Sequence, residues 1–270
     1  MPLNTLTPVT DSLRTLLLRG LLAGLIAGLL GGVVAFALGE PHVQAAIEIE
    51  ESAAAPVESD HAAGETAPHG HETESTEPEG HSHGDDALVS RTGQRVGLFL
   101  ATGLAGLALG AIFAVVVHYA RRFTTMAGTP LAIVVAGCGW LAIEAVPFFK
   151  YPANPPAVGD PDTINERTLL WLASVLLGLL AVAAAVYAGR ALRDQGLVTT
   201  RVIGQVAAFL AVVTVGYLAL PGIDEVGEDF PATLLWQFRI SSLATQAALW
   251  LALGLAFAFL TERAGRRAIR

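Results

Sequence analysis

The chain has 270 residues, of which 53% are hydrophobic and only 15% charged, with a formal net charge of −8. That apolar share exceeds the globular average, and the charges crowd into short windows, so a basic nucleic-acid-binding face is excluded. The single lysine, Lys150, follows no glycine-rich turn and rules out a P-loop, and the single cysteine, Cys138, can form neither an intrachain disulfide nor a cysteine metal cluster.

About 20 apolar residues cross roughly 30 Å of hydrocarbon, and six segments reach that length. The predicted spans are 16–38, 96–119, 130–149, 169–188, 202–220 and 234–260. The expected fold is therefore all-α and integral to the membrane: a bundle of about six transmembrane helices with a disordered, histidine- and acid-rich outer loop. Residues 1–39 form the N-terminus and first span, 40–95 the outer loop, and 96–270 a five-helix bundle with a basic tail. The first span follows Arg14 and Arg19 like a signal peptide, but its apolar core is longer than a signal h-region and predicts an uncleaved anchor. It carries Gly20, Gly24, Gly28 and Gly32, a flat groove at every fourth position. Gly103, Gly106 and Gly110 of the second span are the expected filling; a separate small membrane subunit is the other reading.

Between the first two spans, residues 58–86 lack the bulky apolar side chains that folding needs. Five of the chain's seven histidines fall here: His61, His69, His71, His81 and His83. Spacing of i, i+2 points paired imidazoles the same way in an extended chain, and carboxylates follow, Glu72 in one case and Asp85 and Asp86 in the other. Neutral imidazole suits late first-row divalent metals, so these residues are candidate ligands. A chain that must order itself to bind loses entropy, which predicts modest affinity, suited to concentrating an ion and releasing it. The simpler reading is a solvated acidic linker. His118, at the inner end of the second span, reads as a helix-end histidine beside Arg121.

Three later features concern a path through the bilayer. Glu144 lies within the third span, where a carboxylate is costly unless paired or used; Arg239 and Lys150 are its expected structural partners. Proline-rich acidic loops at 150–168 and 221–233 bring Asp160, Asp162, Asp224 and Glu225 to the same side. In the sixth span Arg239, Ser242 and Gln246 share one face, with Ser241 and Thr245 beside them, as helix glue or as lining of a polar path. Thr168-Leu-Leu-Trp171 and Thr233-Leu-Leu-Trp236 form a faint internal echo of the kind known among transporters.

Arginine and lysine set the expected orientation. Eleven fall on one set of flanks (Arg14, Arg19, Arg121, Arg122, Arg190, Arg193, Arg201, Arg263, Arg266, Arg267 and Arg270). Five fall on the other: Arg91, Arg95, Lys150, Arg167 and Arg239. Alternation through six spans puts both termini in the cytoplasm and the histidine loop outside.

Two long strings carry a family resemblance: Pro147-Phe-Phe-Lys-Tyr-Pro-Ala-Asn-Pro-Pro-Ala-Val-Gly-Asp-Pro-Asp-Thr163 and Asp224-Glu-Val-Gly-Glu-Asp-Phe-Pro-Ala-Thr-Leu-Leu-Trp-Gln-Phe-Arg239. With Arg19-Gly-Leu-Leu-Ala-Gly-Leu, the Gly39-Glu-Pro-His-Val-Gln-Ala-Ala-Ile47 turn and the His-Ser-His-Gly stretch, they resemble the CbtA family of predicted cobalt transporter subunits over about 16–263. The resemblance implies a bacterial or archaeal inner-membrane protein importing cobalt for cobalamin synthesis, with a short single-span, histidine-bearing CbtB subunit as partner. It also implies five spans, against the six counted here.

The expected function is uptake of Co²⁺, with Ni²⁺ as the alternative cargo, and no permanently bound cofactor. The outer loop would collect the ion; Glu144, Asp160, Asp162, Asp224, Glu225, Arg239 and Gln246 are the candidate path residues. Membrane-anchored sequestration or sensing, and export, are the rival readings. Enzymatic activity has no nucleophile–base pair or cofactor motif behind it.

Overall fold

The computed structural model describes residues 12–54 and 90–268, and every regular element among them is helical. The predicted metal ligands His61, His69, His71, His81, His83, Asp85 and Asp86 lie outside the described residues. Six helical segments are long and apolar enough to cross a membrane, one more than the family resemblance implied. The chain is a multi-pass membrane protein.

Ser12 opens α1 (Leu13–Val34), its hydroxyl accepting from the Thr15 N–H at 3.3 Å. The helix does not stop at the expected turn around Gly39. A π-helical turn, Ala35–Gly39, carries it into α2 (Glu40–Ala54). Pro41 has no N–H and its ring crowds the carbonyl four residues back; a widened turn relieves both without ending the helix. The stretch Leu13–Ser52 spans 40 residues, about 60 Å at 1.5 Å per residue, twice the hydrocarbon thickness. The upper part, α2, therefore projects beyond the bilayer. There Glu40 accepts from both Arg91 and Arg95, at 2.8 and 2.9 Å, tying α2 to the start of α3 (Arg91–Ala120). At the other end of α3 an Arg121 Nη lies 3.3 Å from His118 Nδ1, the helix-end pairing expected from sequence.

The third span is α4 (Gly128–Trp140), a second π-helical turn (Leu141–Ala145) and α5 (Val146–Lys150). Pro147 accounts for this turn as Pro41 does for the first. A loop then leads through a short 3-10 turn, Pro161–Thr163, into α6 (Ile164–Ala191). The remaining spans are α7 (Val198–Ala219) and α8 (Ala232–Ala268).

Helices α1, α3, α4 and α8 form the core. Phe113 of α3 meets Phe257 of α8 edge-on, ring centres 5.2 Å apart, among buried Leu16, Val117 and Leu253. The glycine groove of α1 is filled by α3: a Cβ on Gly20 would lie 2.3 Å from the Gly110 carbonyl oxygen, and one on Gly24 2.1 Å from that of Gly106. Backbone rests on backbone here, which only glycine permits. The second body is the α6–α7 hairpin. It joins the core through α6, whose Gly178 packs against the Ala142 carbonyl of the second π turn. No residue of α7 is fully buried, and Leu218 is 82% exposed, as suits a helix whose outer faces meet lipid.

Candidate functional site

The second π turn, the loops after α5 and α7, the start of α6 and one face of α8 line a half-open cavity of about 750 Å³ where the core meets the α6–α7 hairpin. Of the seven path residues expected from sequence, Glu144, Asp224, Glu225, Arg239 and Gln246 line it. Asp160 and Asp162 do not. Both are exposed, and the Asp160 carboxylate is turned to its own backbone, accepting from the Asp162 N–H at 2.9 Å to cap the 3-10 turn. The polar stripe of α8 divides. Arg239, Ser242 and Gln246 face the cavity, whereas buried Ser241 donates to the Gln237 carbonyl and lies 3.4 Å from His42 Nδ1 on the α2 side.

The expected ion pairs of Glu144 are not formed. Among the described residues its hydrogen-bond partner is the Trp250 indole, whose Nε1 donates to Glu144 Oε1 at 3.3 Å. Lys150 reaches the other way and donates to the Tyr217 carbonyl at 3.0 Å, in the last turn of α7, where helix carbonyls lack partners and the dipole favours a cation. Arg239 donates to Asn154 Oδ1 at 2.8 Å and to the Ala153 carbonyl at 3.4 Å. With two of its nitrogens bonded to the proline-rich loop, the guanidinium clamps that loop to α8 and keeps further N–H donors.

Glu225 is the engaged acid. Arg167 pairs with it at 3.0 Å and the Thr163 hydroxyl donates to its other oxygen, so the loop after α7 is bound to the start of α6. Gly159 makes room for this bridge. It holds φ +116°, and a Cβ there would sit 2.3 Å from an Arg167 nitrogen. Tyr151 adds a third tie by donating its hydroxyl to the Pro221 carbonyl at 2.8 Å; desolvation pushes its phenol pKa up. Asp224, beside Glu225, is exposed.

A family model described as "Probable cobalt transporter subunit (CbtA)" matches residues 13–262. The chain belongs to the CbtA family. No curated protein and no solved structure matches it. CbtA membership and the helix bundle are both consistent with transport, a role that involves no catalysis. Among the described residues no three His, Cys, Asp or Glu side chains form a group that could hold a metal ion.

Trp250 is the site residue that sequence reading missed in this CbtA chain. It lies four residues beyond Gln246 and so continues the Arg239–Ser242–Gln246 face, a spacing visible in the sequence. Its second signal is Gly139, where a Cβ would fall 2.2 Å from the Trp250 ring. The glycine lets the indole through to the carboxylate. The two Thr-Leu-Leu-Trp echoes differ in setting: Trp171 lines the cavity, while Trp236 is 63% exposed and is absent from that lining.

Proposed function

We propose that the chain is the membrane subunit of a divalent transition-metal uptake permease, with cobalt as cargo and nickel as the alternative. The observation that carries the reading is Glu144: a carboxylate within a span, lining a cavity, with a neutral indole as its partner and no ion pair among the described residues. A charged carboxylate there is costly unless a proton, a fixed partner or a mobile cation relieves it, and a cavity-lining position suits the last. Family membership supplies the class of cargo.

In this reading both termini are cytoplasmic, and the cavity opens toward the outer side with the acidic loops. His61, His69, His71, His81, His83, Asp85 and Asp86 gather the ion there and release it to Asp224 and, deeper, to Glu144 and Gln246. Carboxylate and amide oxygens hold late first-row metals less tightly than imidazole does, which favours onward transfer. Asp160 and Asp162 act on the approach, while Glu225 and Arg239 hold the loops that shape it. A CbtB-like single-span subunit is the proposed partner. Because α3 fills the glycine groove of α1, that subunit would dock on another face.

Accumulation of radiolabelled Co²⁺ in cells lacking other cobalt importers tests the proposal, with the chain expressed alone and with a CbtB-like subunit. Energy-dependent accumulation is the expected outcome. Failure in both arms, with the outer loop still binding cobalt, would leave sequestration or sensing as the function.

A further inference from the structure

The cavity's charge and size point to the form in which the metal enters. Its lining holds three carboxylates, Glu144, Asp224 and Glu225, and three cations, Lys150, Arg167 and Arg239. Their formal charges cancel, so the lining as a whole exerts no net pull on a bare divalent ion. Among the described residues two of the cations have no carboxylate partner: Lys150 and Arg239 hydrogen-bond to carbonyl and amide oxygens, and the ion pair in the cavity is that of Arg167 with Glu225. Both would repel an approaching dication.

The donor set agrees. Among the described residues, which include the whole cavity lining, no three His, Cys, Asp or Glu side chains converge on one point. With so few strong protein ligands, a metal in this space would keep some of the ligands that it brought with it. Water could be those ligands, but size argues otherwise. Six waters at about 30 Å³ each fill about 180 Å³, a quarter of the roughly 750 Å³ present. That volume falls in the range of organic-ligand pockets, and Trp171, Phe148 and Tyr151 supply the apolar walls such pockets have.

We infer that the cavity takes cobalt as a complex with a small carboxylate-bearing chelator, not as the aqua ion. This rests on the reading of the chain as a cobalt permease and names the species that occupies its cavity. The chelator's carboxylates cancel the metal's charge and give Lys150 and Arg239 anionic partners. Glu144 and Gln246 are left to meet the metal's exposed side.

The test holds total cobalt constant in the uptake assay and lowers free Co²⁺ about ten-fold with either citrate or ethylenediamine. Citrate forms an anionic complex; ethylenediamine keeps the complex cationic. Uptake faster in citrate than in chelator-free medium, and about ten-fold or more slower in ethylenediamine than in citrate, is the expected result. Uptake that falls equally in both, tracking the free ion, would overturn the inference while leaving the permease intact. Lys150→Gln should lower uptake from citrate medium about ten-fold with membrane levels of the protein unchanged. Because that variant could misfold, the purified full chain provides a second readout. Cobalt citrate should raise its thermal unfolding temperature more than citrate or Co²⁺ alone does. If no cobalt accumulates in any medium, the permease reading fails and this unfolding measurement decides the inference by itself: equal shifts with the three additives sink it.

Discussion

At the scale of single residues, the site depends on where donors and acceptors find each other across the bundle. Glu144 bonds to an indole instead of a cation, and this makes it the residue whose replacement is most informative. Glu144→Gln keeps the size and an acceptor for Trp250 but removes the charge. Cobalt uptake should fall about ten-fold or more, equivalent to about 1.4 kcal/mol at the least, with membrane levels of the protein unchanged. Full activity in that variant would remove Glu144 from the path. Gly159 supports a different expectation. At φ +116° a methyl group is strained and also meets Arg167. Gly159→Ala should cost about 2 kcal/mol in thermal unfolding and loosen the Arg167–Glu225 bridge; an unchanged unfolding temperature would show that the loop relaxes freely.

At the scale of elements, two prolines and a glycine row decide how the helices run and pack. Pro41 and Pro147 each follow a π-helical turn, and neither ends its helix. From sequence alone Gly39-Glu-Pro was expected to be a turn, because a Gly-Pro neighbourhood commonly breaks a helix; the extra residue in a π turn is a local adjustment that periodicity does not report. Pro147→Ala removes the reason for the wide turn ahead of it. A regular helix there would rotate Glu144 relative to Lys150 by about 100°, so uptake should fall without loss of stability. The measurement is Co²⁺ flux beside thermal unfolding, and unchanged flux would mean that the π turn persists without the proline. The glycine row allows a stricter test. Gly24→Val or Gly106→Val must push apart two backbones in contact, and overpacking of this kind costs about 1–3 kcal/mol or more. Each should lower the unfolding temperature markedly, whereas Gly97→Ala, at a position open to space, should not.

For the whole molecule, the division into a four-helix core and an α6–α7 hairpin places the cavity at their junction, and the polar ties around it join one body to the other. Lys150 reaches α7, Tyr151 reaches the loop after α7, and Arg167 on α6 holds Glu225. Movement of the hairpin would have to break these contacts together. Orientation is also a property of the whole chain. Reporter fusions at both ends should signal a cytoplasmic location, as the arginine alternation requires; an external C-terminus would refute the assigned sidedness. Deleting residues 58–86 should raise the external cobalt needed for half-maximal uptake while leaving the maximal rate intact, if that segment only concentrates the ion.

Much of this was legible in the sequence, because hydrophobic length and the crowding of glycine on one face are local, one-dimensional properties. They were enough for six spans and the packing of α1 on α3; the polar stripe of α8 was visible, but not whether it glues helices or faces a cavity. Family membership was legible too, in two loop strings that a structure is not needed to read. What only the tertiary structure decided was partnership. Whether Glu144 meets Lys150 six residues on, or Arg239 or Trp250 about 100 residues away, depends on helix rotation and on distances of a few ångströms, and no local pattern encodes that. The same holds for charge: sequence counted acids along the outer loops, but folding set an equal number of cations against them inside the cavity, and the balance belongs to the assembled site.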